Sequence, residues 1–166
     1  QDPMVMVDRF IEAAQELVAA GCDGITTNCG FLALAQQQIS DALPVPVATS
    51  SLMQIPMVQA LLPPGKKVAV LTISKQSLTT DHLRGAGVPN PQDIPVFGTD
   101  KGRAFTRCIL DNHEAINFED CRLDLLDAAR EIVETDRDIG AIVLECTNMT
   151  PYAHDIRKAT GLPVFS

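Results

Sequence analysis

The chain has 166 residues with a formal net charge of −8, and 46% of its residues are hydrophobic. The apolar fraction excludes an intrinsically disordered chain, and the acidic balance makes nucleic acid an unfavourable partner. No apolar run reaches the length of about 18 residues that a membrane span needs, so the sequence predicts an ordinary core and no membrane partner.

Short apolar strands alternate with amphipathic helices along the chain. Asp2 and Pro3 are a typical N-cap and first helical residue, and apolar residues at helical spacing extend this helix to Gly21. The elements predicted after it are a strand at 24–27, a helix at 31–43, a strand at 44–48, a helix at 51–62, a strand at 67–72, a helix at 76–84, a strand at 94–97, helices at 103–112 and 119–135, a strand at 141–144, a helix at 151–159 and a strand at 163–165. This order predicts an α/β fold with parallel strands covered by helices on both faces.

Pro63-Pro64-Gly65 is the clearest break in the chain. It separates a predicted first lobe, residues 1–65, from a predicted second lobe, residues 66–166. An open α/β unit usually begins with a strand, whereas this chain begins with a helix and ends with a strand. We therefore expect the first lobe to lack its first strand and the chain to be part of a longer protein.

Two stretches of the sequence resemble each other. Residues 12–18 read EAAQELV and residues 127–133 read DAAREIV, and each stretch precedes a glycine-containing turn, a buried strand and a cysteine. Other identical residues lie the same number of positions apart as Cys29 and Cys146: Ile39 and Ile156, Ala42 and Ala159, Pro46 and Pro163, and Val47 and Val164. Shared apolar positions are common among βαβ units, but a cysteine at the same strand end in both copies favours an internal duplication.

Cys29 and Cys146 each follow a strand and precede a helix, where open parallel sheets bind ligands and where helix amides favour a thiolate or a bound carboxylate. Two thiols facing across a cleft suit inversion at a carbon, because one removes a proton from one face and the other returns one to the opposite face. This reaction needs no cofactor and no metal. The charge that develops requires donors, and the candidates are the side chain of Asn28, the amide of Gly30, and both the amides and side chains of Thr147 and Asn148.

The segments TTNCG, around Cys29, and ECTNMTPY, around Cys146, resemble the two cysteine motifs of the aspartate/glutamate/hydantoin racemase superfamily. The resemblance covers most of the chain. It implies two pseudo-symmetric lobes, each a flavodoxin-like parallel sheet flanked by helices, with the active site between them. It also implies cofactor-independent catalysis with both cysteines as bases, Thr147 binding the substrate carboxylate, and a homodimer.

The two motifs depart from those of the better-known amino-acid racemases. Those enzymes place Asn-Thr after the first cysteine and often His after the second Cys-Thr, whereas this chain has Gly30-Phe31 and Asn148. The leading hypothesis is an isomerase, a racemase or epimerase of a small carboxylate-bearing acid or amino acid. The alternatives are a cis–trans isomerase or decarboxylase that uses a cysteine as nucleophile or proton donor, and a carboxylate-binding protein without catalysis.

Three further residues have two interpretations each. Thr72 ends a strand, where its hydroxyl would bind a substrate carboxylate or cap the next helix. Glu145 would raise the pKa of the neighbouring thiol or lie at the surface. Tyr152 would line the cleft or pack in the core.

The remaining candidates are expected to be structural. Five cysteines without zinc-type spacing predict reduced thiols and a cytoplasmic protein. Cys22, Cys108 and Cys121 are expected to be inert. Asp120, Asp124 and Asp127 are expected to form a solvated helix face and no metal site.

Overall fold

The computed structural model describes residues 6–166 of the chain. Its helices are α1 (Val7–Ala19), α2 (Gln36–Asp41), α3 (Ile55–Leu61), α4 (Thr80–Gly85), α5 (Phe105–Leu110), α6 (Phe118–Thr135) and α7 (Ala153–Thr160). Its strands are β1 (Ile25–Thr26), β2 (Val47–Ala48), β3 (Lys67–Thr72), β4 (Val96–Gly98), β5 (Ile139–Leu144) and β6 (Val164–Phe165). Short 3₁₀ segments lie at Gly30–Ala35, Ser51–Gln54, Pro91–Asp93 and Thr147–Tyr152. The predicted helix start at Asp2 and Pro3 lies outside the described residues.

All six strands lie in parallel pairings. β1 pairs with β2, and the other four strands form a sheet in the order β4-β3-β5-β6. Helices flank both sheets, so the predicted α/β architecture is confirmed. The first two strands are shorter than predicted, since Pro44 and Pro46 have no N–H to donate to a ladder and only Val47 and Ala48 pair with β1.

Each face of the four-stranded sheet is buried under different helices. Ala69 and Leu71 belong to a cluster with residues of α6 and α7, while Val68 and Val70 belong to one with residues of α3 and α4. A third cluster joins α1 and α2 to β1 and β2. Helix α3 precedes Pro63 in the sequence but packs on β3. The division into a first lobe that ends at residue 65 and a second lobe that begins at residue 66 therefore stays a prediction.

The duplicated sequence pattern corresponds to two matched βαβ units. In one unit Ile25 pairs with Val47 and Thr26 with Ala48; in the other, Ile142 pairs with Val164 and Val143 with Phe165. Between the strands each unit has a 3₁₀ segment of 6 residues followed directly by a helix, α2 or α7. The two units therefore have the same number of residues between their paired strand positions and the same strand register.

Among the helices that begin later than predicted, α4 and α5 do so because side chains bind the backbone at that point. Thr79 and His82 form a capping box that starts α4 at Thr80. Asp124 is 4% exposed, and its carboxylate accepts the backbone N–H groups of residues 103–105 at 2.7–2.9 Å, so α5 starts at Phe105. The expectation of a solvated Asp124 is wrong, whereas Asp120 and Asp127 are exposed.

Two other structural features concern the classes of function considered above. Tyr152 packs between Phe105 and Phe118 and is 4% exposed, which favours the core interpretation. Across residues 6–166, every helix is too short or too polar to serve as a membrane span.

Candidate active site

Cys29 and Cys146 occupy equivalent positions in the two βαβ units. Each is the residue before a 3₁₀ segment and has extended backbone, with φ of −134° at Cys29 and −88° at Cys146. Cys29 is exposed and Cys146 is partly buried. A charge on Cys29 makes the smallest contribution to the raised pKa of Cys146.

A cavity of about 460 Å³ lies where the two units meet. Its lining comes from both units and from the segment after β2: Thr26, Thr27, Gly30, Ala48, Ser50, Ser51, Met53, Gln54, Met57, Leu144, Glu145, Cys146, Thr147, Thr150 and Ser166. Among these described residues Glu145 is the single ionisable carboxylic acid side chain, and none is Lys, Arg or His. A larger cavity of about 800 Å³ lies between α3 and residues 88–94, and its lining includes neither cysteine.

The environment of Cys146 holds it as a thiol at neutral pH. Burial, with a smaller contribution from the charge of Glu145, raises the pKa of Cys146 to about 11. The backbone N–H and the side chain of Asn148 act in the opposite direction, with Nδ2 of Asn148 3.8 Å from Sγ. The amide stabilisation expected from the sequence is present, but desolvation outweighs it and raises the pKa of the Cys146 thiol.

Glu145 is a buried carboxylic acid between the two units. It is 2% exposed, and the hydroxyl of Thr72 donates a hydrogen bond to its Oε2 at 2.8 Å. Burial raises the pKa of Glu145 to about 7, although the hydroxyl of Thr72 and the N–H of Ile73 favour its charged form. The interpretation of Glu145 as a surface residue is therefore wrong. The other interpretation, that Glu145 raises the pKa of the neighbouring thiol, agrees with its effect on Cys146.

The other predicted substrate-binding residues fall into three groups. Gly30 and Thr147 line the cavity. Asn28 and Asn148 are exposed and lie outside the described lining, although Asn148 contacts Cys146. Thr72 is fully buried with its hydroxyl bound to Glu145, so the structure places it behind the cavity.

Two hydroxyl groups that the sequence did not single out hold the cavity walls. The hydroxyl of Ser51 donates to the carbonyl of Leu144 at 2.6 Å, and that of Thr27 donates to the carbonyl of Thr49 at 2.6 Å. Ser51 begins a helical segment, where a serine is typical of a cap. The sequence around it therefore does not predict its hydrogen bond to the distant carbonyl of Leu144. Over residues 6–166, no group of three or more His, Cys, Asp or Glu residues is arranged to hold a metal ion.

Comparison with known proteins identifies the family. The Asp/Glu/hydantoin racemase family model matches residues 11–166, and the chain belongs to this family. The resemblance expected from the two cysteine motifs is thereby confirmed.

Solved racemases share the fold at low sequence identity. Allantoin racemase from Pseudomonas fluorescens is 19% identical with a TM-score of 0.64, covering 96% of this chain and 64% of that protein. A glutamate racemase from Bacillus anthracis is 16% identical with a TM-score of 0.59, covering 95% and 58%. At these identities the likeness concerns the fold alone.

Curated relatives have a different enzymatic name. Dimethylsulfoniopropionate lyase 7 from Emiliania huxleyi is 30% identical over 171 residues, 98% of this chain and 50% of that protein. The dimethylsulfoniopropionate lyase of Durusdinium sp. clade D is 29% identical over 149 residues, 87% of this chain and 49% of that protein. The chain spans about half the length of these relatives.

Proposed function

We propose that this site removes a proton from the carbon next to a substrate carboxylate and that a sulfonium group then leaves from the neighbouring carbon. The substrate is a small β-sulfonio acid, the class to which dimethylsulfoniopropionate belongs. The observation that carries the proposal is the placement of Cys146 beside Glu145 in a cavity whose described lining has no cationic side chain. The names of the curated relatives support the same reaction.

The elimination balances with Cys146 as the base. Its thiolate takes the α-proton and becomes a thiol, while the electron pair of the C–H bond forms the carbon–carbon double bond. The bond from the β-carbon to sulfur breaks with its pair on sulfur, giving an unsaturated carboxylate and a neutral sulfide. The thiol then returns its proton to water, so no cofactor, oxidant or reductant is consumed.

The raised pKa of Cys146 is compatible with this role. A thiolate of high pKa is a strong base, and an α-proton next to a carboxylate is weakly acidic. A sulfonium cation bound nearby offsets the charge of Glu145 and lowers the pKa of the thiol when the substrate is present. Backbone amides at the start of the 3₁₀ segment Thr147–Tyr152 and the hydroxyl of Thr147 are the candidates for binding the substrate carboxylate.

Racemisation or epimerisation is the second candidate, and the matched positions of Cys29 and Cys146 favour it. Inversion requires a group on each face of the carbon, whereas elimination requires one base. Elimination is not among the reactions expected from the sequence. The homodimer and the cytoplasmic location stay predictions.

The test compares both reactions in the full-length protein. Dimethylsulfoniopropionate is supplied and dimethyl sulfide and acrylate are measured; in parallel, single enantiomers of amino acids and hydantoins are incubated in D₂O and α-deuterium is measured. We expect Cys146→Ser to reduce sulfide release by at least about a hundredfold. Cys22→Ser, which changes an exposed cysteine away from the cavity, serves as the matched control and should retain full release.

The outcomes separate the two candidates. Sulfide release that survives Cys146→Ser at the control rate contradicts the proposal. Deuterium incorporation with inversion, lost in both Cys29→Ser and Cys146→Ser and without sulfide release, establishes a two-base racemase instead.

A further inference from the structure

Glu145 is a buried acid that no basic residue accompanies. Its hydrogen-bond donors, Thr72 and the N–H of Ile73, are neutral, and no ion pair within residues 6–166 includes it. Burying a carboxylate without a cation is unfavourable, which is the cause of its raised pKa. The wall of the cavity therefore holds, next to Cys146, a buried acid whose charge, when it is ionised, no side chain of the described lining compensates.

Contacts from the other βαβ unit, from β3 and from the segment after β2 fix this carboxyl group in place. A side chain at Gly30 would overlap it, so Gly30 packs directly on Glu145. Thr72 holds Oε2 from the neighbouring strand β3, and Ser51 holds the carbonyl of Leu144 at the preceding position. The carboxyl group thus cannot turn to bulk solvent without breaking these contacts.

We propose that Glu145 determines substrate specificity: its carboxylate selects acids with a fixed positive charge on the β-carbon, namely sulfonium or quaternary ammonium acids, over neutral acids and dicarboxylates. This inference rests on the proposed function, in which the same cation is the leaving group. An onium centre has no N–H to donate, so it is recognised through its charge, and burial strengthens that attraction. Met53 and Met57 supply apolar contacts for its methyl groups.

The attraction acts on binding more than on the chemical step. As the sulfonium becomes a neutral sulfide, its attraction to Glu145 disappears, so Glu145 stabilises the bound substrate and not the product. We therefore expect Glu145→Gln to raise KM for dimethylsulfoniopropionate by about tenfold or more, with a smaller change in kcat.

The direct test measures binding of two matched ligands to the full-length protein by calorimetry. The ligands are 3-(trimethylammonio)propanoate and 4,4-dimethylpentanoate, which have the same shape and differ in the charge at one atom. The wild type should bind the cationic ligand about tenfold or more tightly than the neutral one, and Glu145→Gln should abolish this preference. Glu114→Gln removes an exposed carboxylate outside the cavity and should keep the preference, which controls for overall charge.

A second measurement needs no variant. In the wild type, the preference should be present at pH 8 and greatly reduced at pH 5, because the raised pKa of Glu145 leaves it protonated there. A preference that is unchanged by Glu145→Gln or by this pH change overturns the inference, as does the absence of a preference in the wild type. Cation preference without sulfide release contradicts the proposed function alone, and sulfide release without cation preference contradicts this inference alone.

Discussion

Gly30 packs against Glu145, and a β-carbon on Gly30 would lie 2.6 Å from the backbone oxygen of Glu145 and overlap its carboxyl group. The two residues belong to different βαβ units, so the contact lies where the units meet. Gly30 follows Cys29, and Glu145 precedes Cys146. The absence of a side chain at Gly30 therefore allows the two cysteine segments to pack closely against each other.

Gly30→Ala should loosen this contact. The added methyl group meets a backbone oxygen, which cannot move away cheaply, so we expect a loss of about 1–3 kcal/mol in the free energy of unfolding and reduced turnover. Urea denaturation measures the first effect. Gly24→Ala is the control, because its β-carbon meets its nearest neighbour at an ordinary 3.4 Å. Equal stability of the two variants contradicts the close packing.

Glu145→Gln should stabilise the protein at alkaline pH. Burial raises the pKa of Glu145 from 4.5 to about 7, so its folding contribution is full below pH 4.5 and is lost as the pH rises through about 7. Glutamine never ionises, and the difference between the variant and the wild type should grow by up to about 3 kcal/mol between pH 4.5 and pH 8. Urea denaturation at both pH values measures it, with Glu114→Gln as the exposed control. A pH-independent difference contradicts the raised pKa.

Local sequence signals predict the elements and the positions of both cysteines. The alternation of apolar strands and helices can be recognised from neighbouring residues alone. The position of Cys146 can be recognised because its local sequence repeats that around Cys29. The matched registers of Ile25 with Val47 and of Ile142 with Val164 follow from that recurrence.

The sequence does not predict the burial of Glu145 and Asp124, because their partners are distant along the chain. Thr72 and the residues at 103–105 are brought to them only by the packing of the sheet. Without such partners, an acidic residue at a strand end or on an amphipathic helix is expected to be exposed to solvent. The sequence also does not distinguish the proposed elimination from racemisation, since either reaction would use a cysteine to remove the α-proton.

Asp124→Asn should weaken the start of α5. Burial opposes the charged form of Asp124, but the three backbone N–H bonds prevail and lower its pKa. An amide has one acceptor oxygen, so we expect a loss of about 3 kcal/mol in unfolding free energy at pH 7. Asp127→Asn, on the same helix but exposed, should change it by less than about 0.5 kcal/mol.

The pH dependence of the Asp124 effect has a definite sign. A lowered folded pKa contributes stability above the unfolded value of 3.8, and this is lost as the pH falls through the folded pKa. The difference in unfolding free energy between Asp124→Asn and the wild type should therefore become smaller at acidic pH. An equal difference at pH 7 and below pH 3 would argue that packing, and not the charge, matters.

Alkylation of Cys146 by iodoacetamide should report the influence of Glu145 on the thiol. Burial raises the pKa of Cys146 to about 11, and the Glu145 charge adds to that rise. Because only the thiolate reacts, the rate should increase about tenfold per pH unit between about pH 7.5 and 9.5. Removing the charge lowers the pKa of Cys146, so Glu145→Gln should react several-fold faster at pH 8. Mass spectrometry of the labelled peptides measures each cysteine separately.

The exposed Cys22 provides the internal control for this experiment, since it lies outside the described cavity lining and should react equally in both proteins. A rate increase shared by Cys22 and Cys146 would indicate general loosening of the variant. An unchanged rate at Cys146 would mean that the carboxylate does not act on the thiol. A selective increase at Cys146 would show that the charge of Glu145 acts with burial to keep the Cys146 thiol protonated.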